Sequence, residues 1–461
     1  MSLQSAWRQL MRRPVRGLPS SFGKFLTAAG VAAALLVAMM SWSLWSRGTT
    51  YIEEVSSTLV GIRLLLADDS QHYLDIADDF RNGDFSMGFV APVGAEAADR
   101  AHRQPAYPAV LAIAEALGIS GAPALARVNL LLLVLTLWTA FAVGTWVCGS
   151  ALAGALAAGL IYQTEFLYDI ATSRLLTEPM YVLMSTATIG AALAYLKKKR
   201  FRHLLAFATL AAVSYLTRVN GLFLAAGLAI AMVASDVHAL RGGAGADADG
   251  DGDDDDTGGE DAFDDEKTTN GDGEDHDRER PLLPIARYAA AIALFVFVAS
   301  PSWVPRLIYA GSPVYHGYLN NYLWVDSYEQ AHLPGPPRYS WSTYWQQHSL
   351  GDAVRRLQYG ISRVYWETPR EKIGEGASVV AVVSILALLV ARDEPALWLL
   401  FAGVLQLLPL AWTAIANNSR RIPAAALLPF LALLAAAAAA RWIRIAAQRS
   451  RPPSGGADDT A

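Results

Sequence analysis

Apolar residues in this chain fall in long uninterrupted blocks, separated by short polar breaks, rather than at the spacing of a half-buried helix or strand. A helix needs about 20 apolar residues to cross the hydrocarbon core of a bilayer. Blocks at 25–46, 124–148, 152–167, 179–196, 283–300, 377–391, 396–413 and 422–440 are read as spans. Two shorter blocks, 204–216 and 222–234, flank Arg218-Val-Asn220-Gly221 and are read as two further spans, with one broken helix as the alternative. The block 107–119 is too short to cross and suits an interfacial helix. The predicted fold class is therefore an all-α polytopic membrane protein of about ten transmembrane helices, with short interfacial helices in its outer-face loops.

Composition supports a membrane protein. Of 461 residues, 53% are hydrophobic and 17% charged, and the mean hydropathy is +0.27. The 13 Trp and 18 Tyr suit interfacial belts. A single cysteine, Cys148, sits in an apolar block, which excludes an intramolecular disulfide and a cysteine metal site.

The net charge of −5 conceals a split. Residues 241–280 hold 17 Asp and Glu against 4 Lys and Arg, net −13; the rest holds 25 against 33, net +8. The acidic tract has almost no apolar residues and is expected to be a disordered cytoplasmic loop. Its Asp247-Ala-Asp249-Gly-Asp251-Gly252 run lacks the Glu that a calcium loop requires, since position 258 is Gly.

Charge also sets orientation. The basic start of the chain, Lys197–Arg202, the acidic loop with its flanking Arg residues, Arg392 and the C-terminal Arg cluster all fall inside when the N-terminus is inside. The first block is longer than a signal h-region and is read as a retained anchor. Both termini are then cytoplasmic and the membrane is the plasma membrane. The chain divides into an N-terminal membrane half, 1–240, with an outer loop at about 47–120; the acidic loop; a C-terminal membrane half, 281–445, with an aromatic-rich outer segment at about 301–374; and a disordered tail, 446–461.

This topology gathers ionisable residues on the outer side, each near a span end: Asp68, Asp69, Arg103, Glu178, Arg218, Arg306, Arg420 and Arg421. Each has a plain structural use. Asp69 can cap a helix, Glu178 precedes a helix-starting Pro179, and Arg218 can snorkel. Together they suit transfer at a phosphate leaving group: a carboxylate takes a proton from an acceptor hydroxyl, and arginines neutralise the departing phosphate.

The order of short motifs resembles a known family. Ala67-Asp-Asp69-Ser-x-x-Tyr73-x-x-Ile-Ala77 and Arg103-x-Pro105-x-Tyr107-Pro108 are similar to the first outer loop of the GT-C membrane glycosyltransferases. They are similar to the branch that holds the dolichyl-phosphate-mannose–protein mannosyltransferases and the bacterial aminoarabinose lipid A transferase. Leu176-Thr-Glu178-Pro179, Leu216-Thr-Arg218-Val-Asn220-Gly221, Pro301-Ser-Trp303-x-Pro-Arg306 with Gly311-Ser-Pro313, and Arg420-Arg421-Ile-Pro423 follow in the family's order. Val219, Leu307 and Ser312 depart from its pattern, which bears on subfamily and substrate.

The resemblance implies an inverting transfer of a sugar from a polyprenyl- or dolichyl-phosphate to an outer-face glycan, lipid or protein. Asp69 would be the base, with Asp68 beside it. Arg103, Arg218, Arg420 and Arg421 would hold the donor phosphate, and Tyr73, Tyr107, Glu178 and Arg306 would line the substrate site. No metal ligands are assigned: some members use a divalent cation and others none, and His316, His332 and His348 are too scattered to argue a site. No nucleic-acid partner is expected. The competing readings are a transporter or flippase, which wants mid-membrane charges and internal repeats, and a scaffold docking through the acidic loop.

Overall fold

The computed structural model describes residues 20–66, 69–87, 103–244, 284–313, 322–331, 340–391, 394–416 and 419–449. Among these there is no strand. The helices, in chain order, are α1 (Ser20–Ser56), α2 (Leu59–Leu65), α3 (Asp69–Arg81), α4 (Ala106–Ala116), α5 (Ala122–Cys148), α6 (Ala151–Tyr162), α7 (Glu165–Ser173), α8 (Glu178–Lys198) and α9 (Phe201–Thr217). They continue with α10 (Asn220–Ala244), α11 (Pro284–Ala310), α12 (Tyr328–Ala331), α13 (Trp341–Gln347), α14 (Leu350–Ile361), α15 (Glu375–Ala391), α16 (Glu394–Thr413) and α17 (Arg421–Arg449). Two short π-helical runs, Ser362–Glu367 and Pro369–Ile373, join α14 to α15. The chain is an α-helical polytopic membrane protein; among the described residues 7 helices are long and apolar enough to cross a bilayer. These lie in α1, α5, α8, α10, α11, α16 and α17; α4, α6, α9 and α15 are shorter apolar helices.

Two helices form the centre. The apolar windows of α8 and α17 are each 78% buried, against 22% for α1 and 28% for α11. Helix α17 packs on α6, α8, α15 and α16, and α8 also packs on α5 and α9. Small residues permit this: Ala424, Ala425, Ala432 and Ala436 of α17 are fully buried, and small side chains let helix backbones approach closely in the absence of a strong hydrophobic drive. At the α5–α6 crossing a Cβ on Gly144 would lie 2.9 Å from Gly154 Cα, so both must stay glycine-sized. The outer helices turn apolar side chains outward, as with Leu35, Met39 and Trp42 of α1 and Phe297 of α11. That exposure suits lipid contact.

The block pattern located every long helix but not its ends. Helix α1 continues ten residues past its apolar block. Arg47 of this extension donates to the Tyr162 hydroxyl at 2.8 Å and Glu53 pairs with Arg127 at 2.9 Å, contacts that a hydropathy pattern does not contain. The block 152–167 splits at Gln163–Thr164 into α6 and α7. Helix α11 runs on to Ala310 through Pro301 and Pro305. Proline removes a helical donor, and here the Ser300 hydroxyl donates to the freed Phe297 carbonyl at 2.7 Å. Helix α17 reaches Arg449, so the first residues assigned to the tail are helical. The acidic loop 245–283 lies outside the described residues.

Candidate functional site

Asp69 opens α3, a position where a carboxylate faces the positive end of the helix dipole. Its Oδ1 accepts from Arg103 Nη2 at 2.5 Å, and its Oδ2 accepts from Arg421 Nη2 at 3.1 Å. Arg421, the first residue of α17, also places Nε 3.2 Å from Glu178 Oε1. Glu178, the first residue of α8, lies 3.0 Å from Arg218 Nη1. Arg218 sits in the extended break between α9 and α10 and donates to the Thr177 hydroxyl at 2.7 Å. The result is an alternating row, Arg103–Asp69–Arg421–Glu178–Arg218, drawn from five separate helix ends.

The row is graded in exposure. Glu178 is fully buried, while Asp69 and Arg421 are each 26% exposed. A ligand can therefore reach the Asp69–Arg421 end, and Glu178 is inaccessible behind it. The expectation that Glu178 contacts substrate gives way to a supporting position under Arg218 and Arg421. Neither Glu178 oxygen has a well-aligned hydrogen bond, so its hold on the arginines is charge contact. Burial works against the Arg218 charge, but Glu178, Tyr73 and Asp69 outweigh it and hold its pKa above the ordinary value.

The first-loop aromatics serve the same end of the molecule. The Arg103 guanidinium lies 5.4 Å over the Tyr73 ring, and Tyr73 meets Tyr107 edge-to-face at 5.2 Å. The Tyr107 hydroxyl donates to Asn129 Oδ1 at 2.9 Å. Burial pushes the Tyr107 phenol well above its usual range, so it remains protonated and serves as a fixed wall rather than as an acid or base. Being fully buried, Tyr107 supports Tyr73 instead of contacting a ligand.

Two predicted residues are placed elsewhere. Arg420 turns away from its neighbour Arg421 and pairs with Glu367 at 3.3 Å and with Glu371. Arg420 precedes the first residue of α17, and of the two it is Arg421 that reaches Asp69. Arg306 is fully buried in α11 and donates to the Arg103 backbone carbonyl. Asp68 lies outside the described residues, as do His316 and His332.

The Arg218 break depends on a glycine. A Cβ on Gly221 would lie 2.3 Å from the Tyr215 backbone nitrogen. The glycine lets the first turn of α10 fold against the last turn of α9, and so places Arg218 beside Glu178. Gly221→Ala is expected to cost about 1–3 kcal/mol through overpacking, read as a lower unfolding midpoint in detergent; an unchanged midpoint would show that the turn relaxes freely.

Polar contacts that no motif announced surround this site. Asn129 Nδ2 donates to the Arg174 carbonyl at 3.1 Å, and the Ser70 hydroxyl accepts from Leu175 N–H at 3.2 Å, tying α3 and α5 to the segment before α8. At other helix ends, Asp236 accepts from Lys199 (2.5 Å), Tyr195 (2.6 Å) and Tyr288 (2.7 Å), joining α8, α10 and α11. In the aromatic-rich stretch before α15 the Arg356 guanidinium lies over the Tyr344 ring, at 5.3 Å, and over that of Trp412 in α16, at 4.9 Å. Long-range pairs such as these carry no local sequence signal.

The described row sets three guanidinium groups against two carboxylates, a composition that suits an anion. Among the described residues no three His, Cys, Asp or Glu side chains cluster. No known family, curated protein or solved structure matches the chain.

Proposed function

We propose that the protein is a membrane glycosyltransferase of GT-C type, moving a sugar from a polyprenyl- or dolichyl-phosphate to an acceptor on the extracytoplasmic side. The observation that carries the reading is the alternating row. Five ionisable residues from distant segments meet at one end of the helix bundle, with excess positive charge and an accessible carboxylate. Burying a carboxylate such as Glu178 is costly unless it is paired, and clusters of ionisable groups in partly buried sites tend to be functional.

The same contacts support ten crossings. Asp69 and Glu178 share Arg421, so the chain between them crosses an even number of times. In this reading helix α5 would cross and α6 with α7 would return the chain. The Glu178–Arg218 pair would likewise suit α9 as a return pass, and the Arg421 contacts would suit α15 as another. With the N-terminus inside, the whole row lies on the outer side and the Lys199–Asp236 pair on the inner side.

In the proposed reaction the acceptor oxygen attacks the anomeric carbon as Asp69 takes its proton. The bond from that carbon to the phosphate oxygen breaks, and its electrons leave with the lipid phosphate, whose charge Arg103 and Arg421 stabilise. Asp69 is engaged by those same two arginines before the donor arrives. A donor phosphate would draw a guanidinium away and free the carboxylate, so donor binding should precede acceptor binding.

Sugar release from a radiolabelled set of polyprenyl-phosphate sugars by the purified protein tests the proposal. Turnover with one donor is the expected result. Translocation of a labelled lipid across proteoliposomes without sugar release would establish the transporter reading. The described ionisable residues of the row sit at helix ends rather than mid-span, which favours the enzyme.

A further inference from the structure

We infer that Arg306 is a positioning residue for Arg103: the last turns of α11 clamp the backbone from which Arg103 reaches Asp69. The inference rests on the reading of Arg103 as a donor-phosphate group.

Helix α11 continues through two prolines, and that extension puts Ser302 and Arg306 one turn apart on one face. Both point at the same short stretch of another chain segment. Arg306 Nη2 donates to the Arg103 carbonyl at 3.1 Å. Ser302 Oγ donates to Gln104 Oε1 at 2.9 Å. Consecutive residues are thus held, one by its backbone and one by its side chain. Pro105 follows and leads directly into α4, which fixes the stretch from its other end.

The clamp is itself braced. Arg306 Nη1 donates to the Ser302 carbonyl at 2.8 Å and also contacts the Ser302 hydroxyl. Between them Trp303 Nε1 donates to the Tyr215 hydroxyl at 2.6 Å, which seats the turn against α9. Tyr215 stands three residues before Arg218, so one rigid unit underlies two arginines of the row.

Arg306 is fully buried, which denies it direct contact with a ligand. A buried guanidinium is expensive, and a hydrocarbon side chain would fill the space at less cost. Among the described contacts of Arg306, what hydrocarbon lacks is a donor for the Arg103 carbonyl, and a lysine lacks the two separate nitrogens that bridge that carbonyl and the Ser302 carbonyl. An arginine whose support shifts by about 1 Å can lose up to a hundredfold in effectiveness toward a bound group.

The test compares wild type, Arg306→Lys, Arg103→Ala and the double variant, with Ser302→Ala as a milder second probe should Arg306→Lys fold poorly. Two readouts are taken. The first is affinity for a short-chain polyprenyl monophosphate. Arg306→Lys is expected to weaken it roughly tenfold in wild type and less than twofold when Arg103 is already Ala; equal losses in both backgrounds would make Arg306 merely structural and overturn the inference. The second readout needs no ligand: the rate at which phenylglyoxal labels Arg103, followed by mass spectrometry. A several-fold faster rate in Arg306→Lys or Ser302→Ala is expected, and an unchanged rate in the folded variants overturns the clamp. If wild type binds no polyprenyl phosphate, the glycosyltransferase reading falls, while the labelling rate still decides the positioning role.

Discussion

Replacing Asp69 by Asn is expected to abolish sugar transfer while strengthening the binding of lipid phosphate. Asn keeps the size of the side chain but cannot accept a proton from the acceptor hydroxyl. Loss of a general base lowers a rate by about 10²–10⁴-fold. The charge argument runs the other way for binding. The described row changes from three positive and two negative groups to three and one, and Arg103 and Arg421 lose the carboxylate that now engages both. A phosphate then has less competition for them. Transfer of a labelled sugar and equilibrium binding of a polyprenyl monophosphate, measured on the same preparation, read the two effects separately. Retained transfer in Asp69→Asn removes Asp69 as the base. Weakened phosphate binding would instead show that Asp69 orders the arginines and does not mask them.

The second large effect is on stability. Glu178→Ala is expected to destabilise the protein by about 3–5 kcal/mol, the range seen when one partner of a buried ion pair is removed. Glu178 is fully buried and faces two arginines at 3.0 and 3.2 Å. Without it, Arg218 is left charged in a confined place, with the Thr177 hydroxyl as its remaining side-chain partner among the described residues. The same substitution removes the brace behind Arg421, so affinity for lipid phosphate should fall as well. Thermal unfolding in detergent gives the first quantity. Glu178→Gln, which keeps the volume, should recover part of the packing and little of the charge contact. Full stability in Glu178→Ala would mean that water reaches the site and solvates Arg218.

Asp69 and Glu178 look alike in the sequence, since each is a carboxylate at the start of a helix just outside an apolar block. The structure separates them. One is accessible at the open end of the row, where it can meet a ligand, and the other is sealed beneath, where it can only hold its neighbours. The difference arises from which helices cover each position. Glu178 opens one of the two most enclosed helices of the bundle, whereas Asp69 opens a short amphipathic helix packed on α4.

Several features were legible from the chain alone because they depend on local composition. Hydropathy adds along a segment, so the long apolar blocks located the membrane-crossing helices. The Arg218-Val-Asn220-Gly221 break was equally clear, because charge and glycine interrupt an apolar block at one point. The order of the charged motifs gave the membership of the row, with Asp69, Arg103, Glu178, Arg218 and one of the two terminal arginines. Tertiary structure alone decided that Arg421 and not Arg420 meets Asp69, across 352 residues of chain. It also decided that α11 continues through its prolines to bring Arg306 under Arg103. Those outcomes follow from the angle at which one helix end faces another, and that angle is set by packing against elements hundreds of residues away. Local hydropathy fixes which segments enter the membrane; only the assembled bundle fixes which side chains meet at its end.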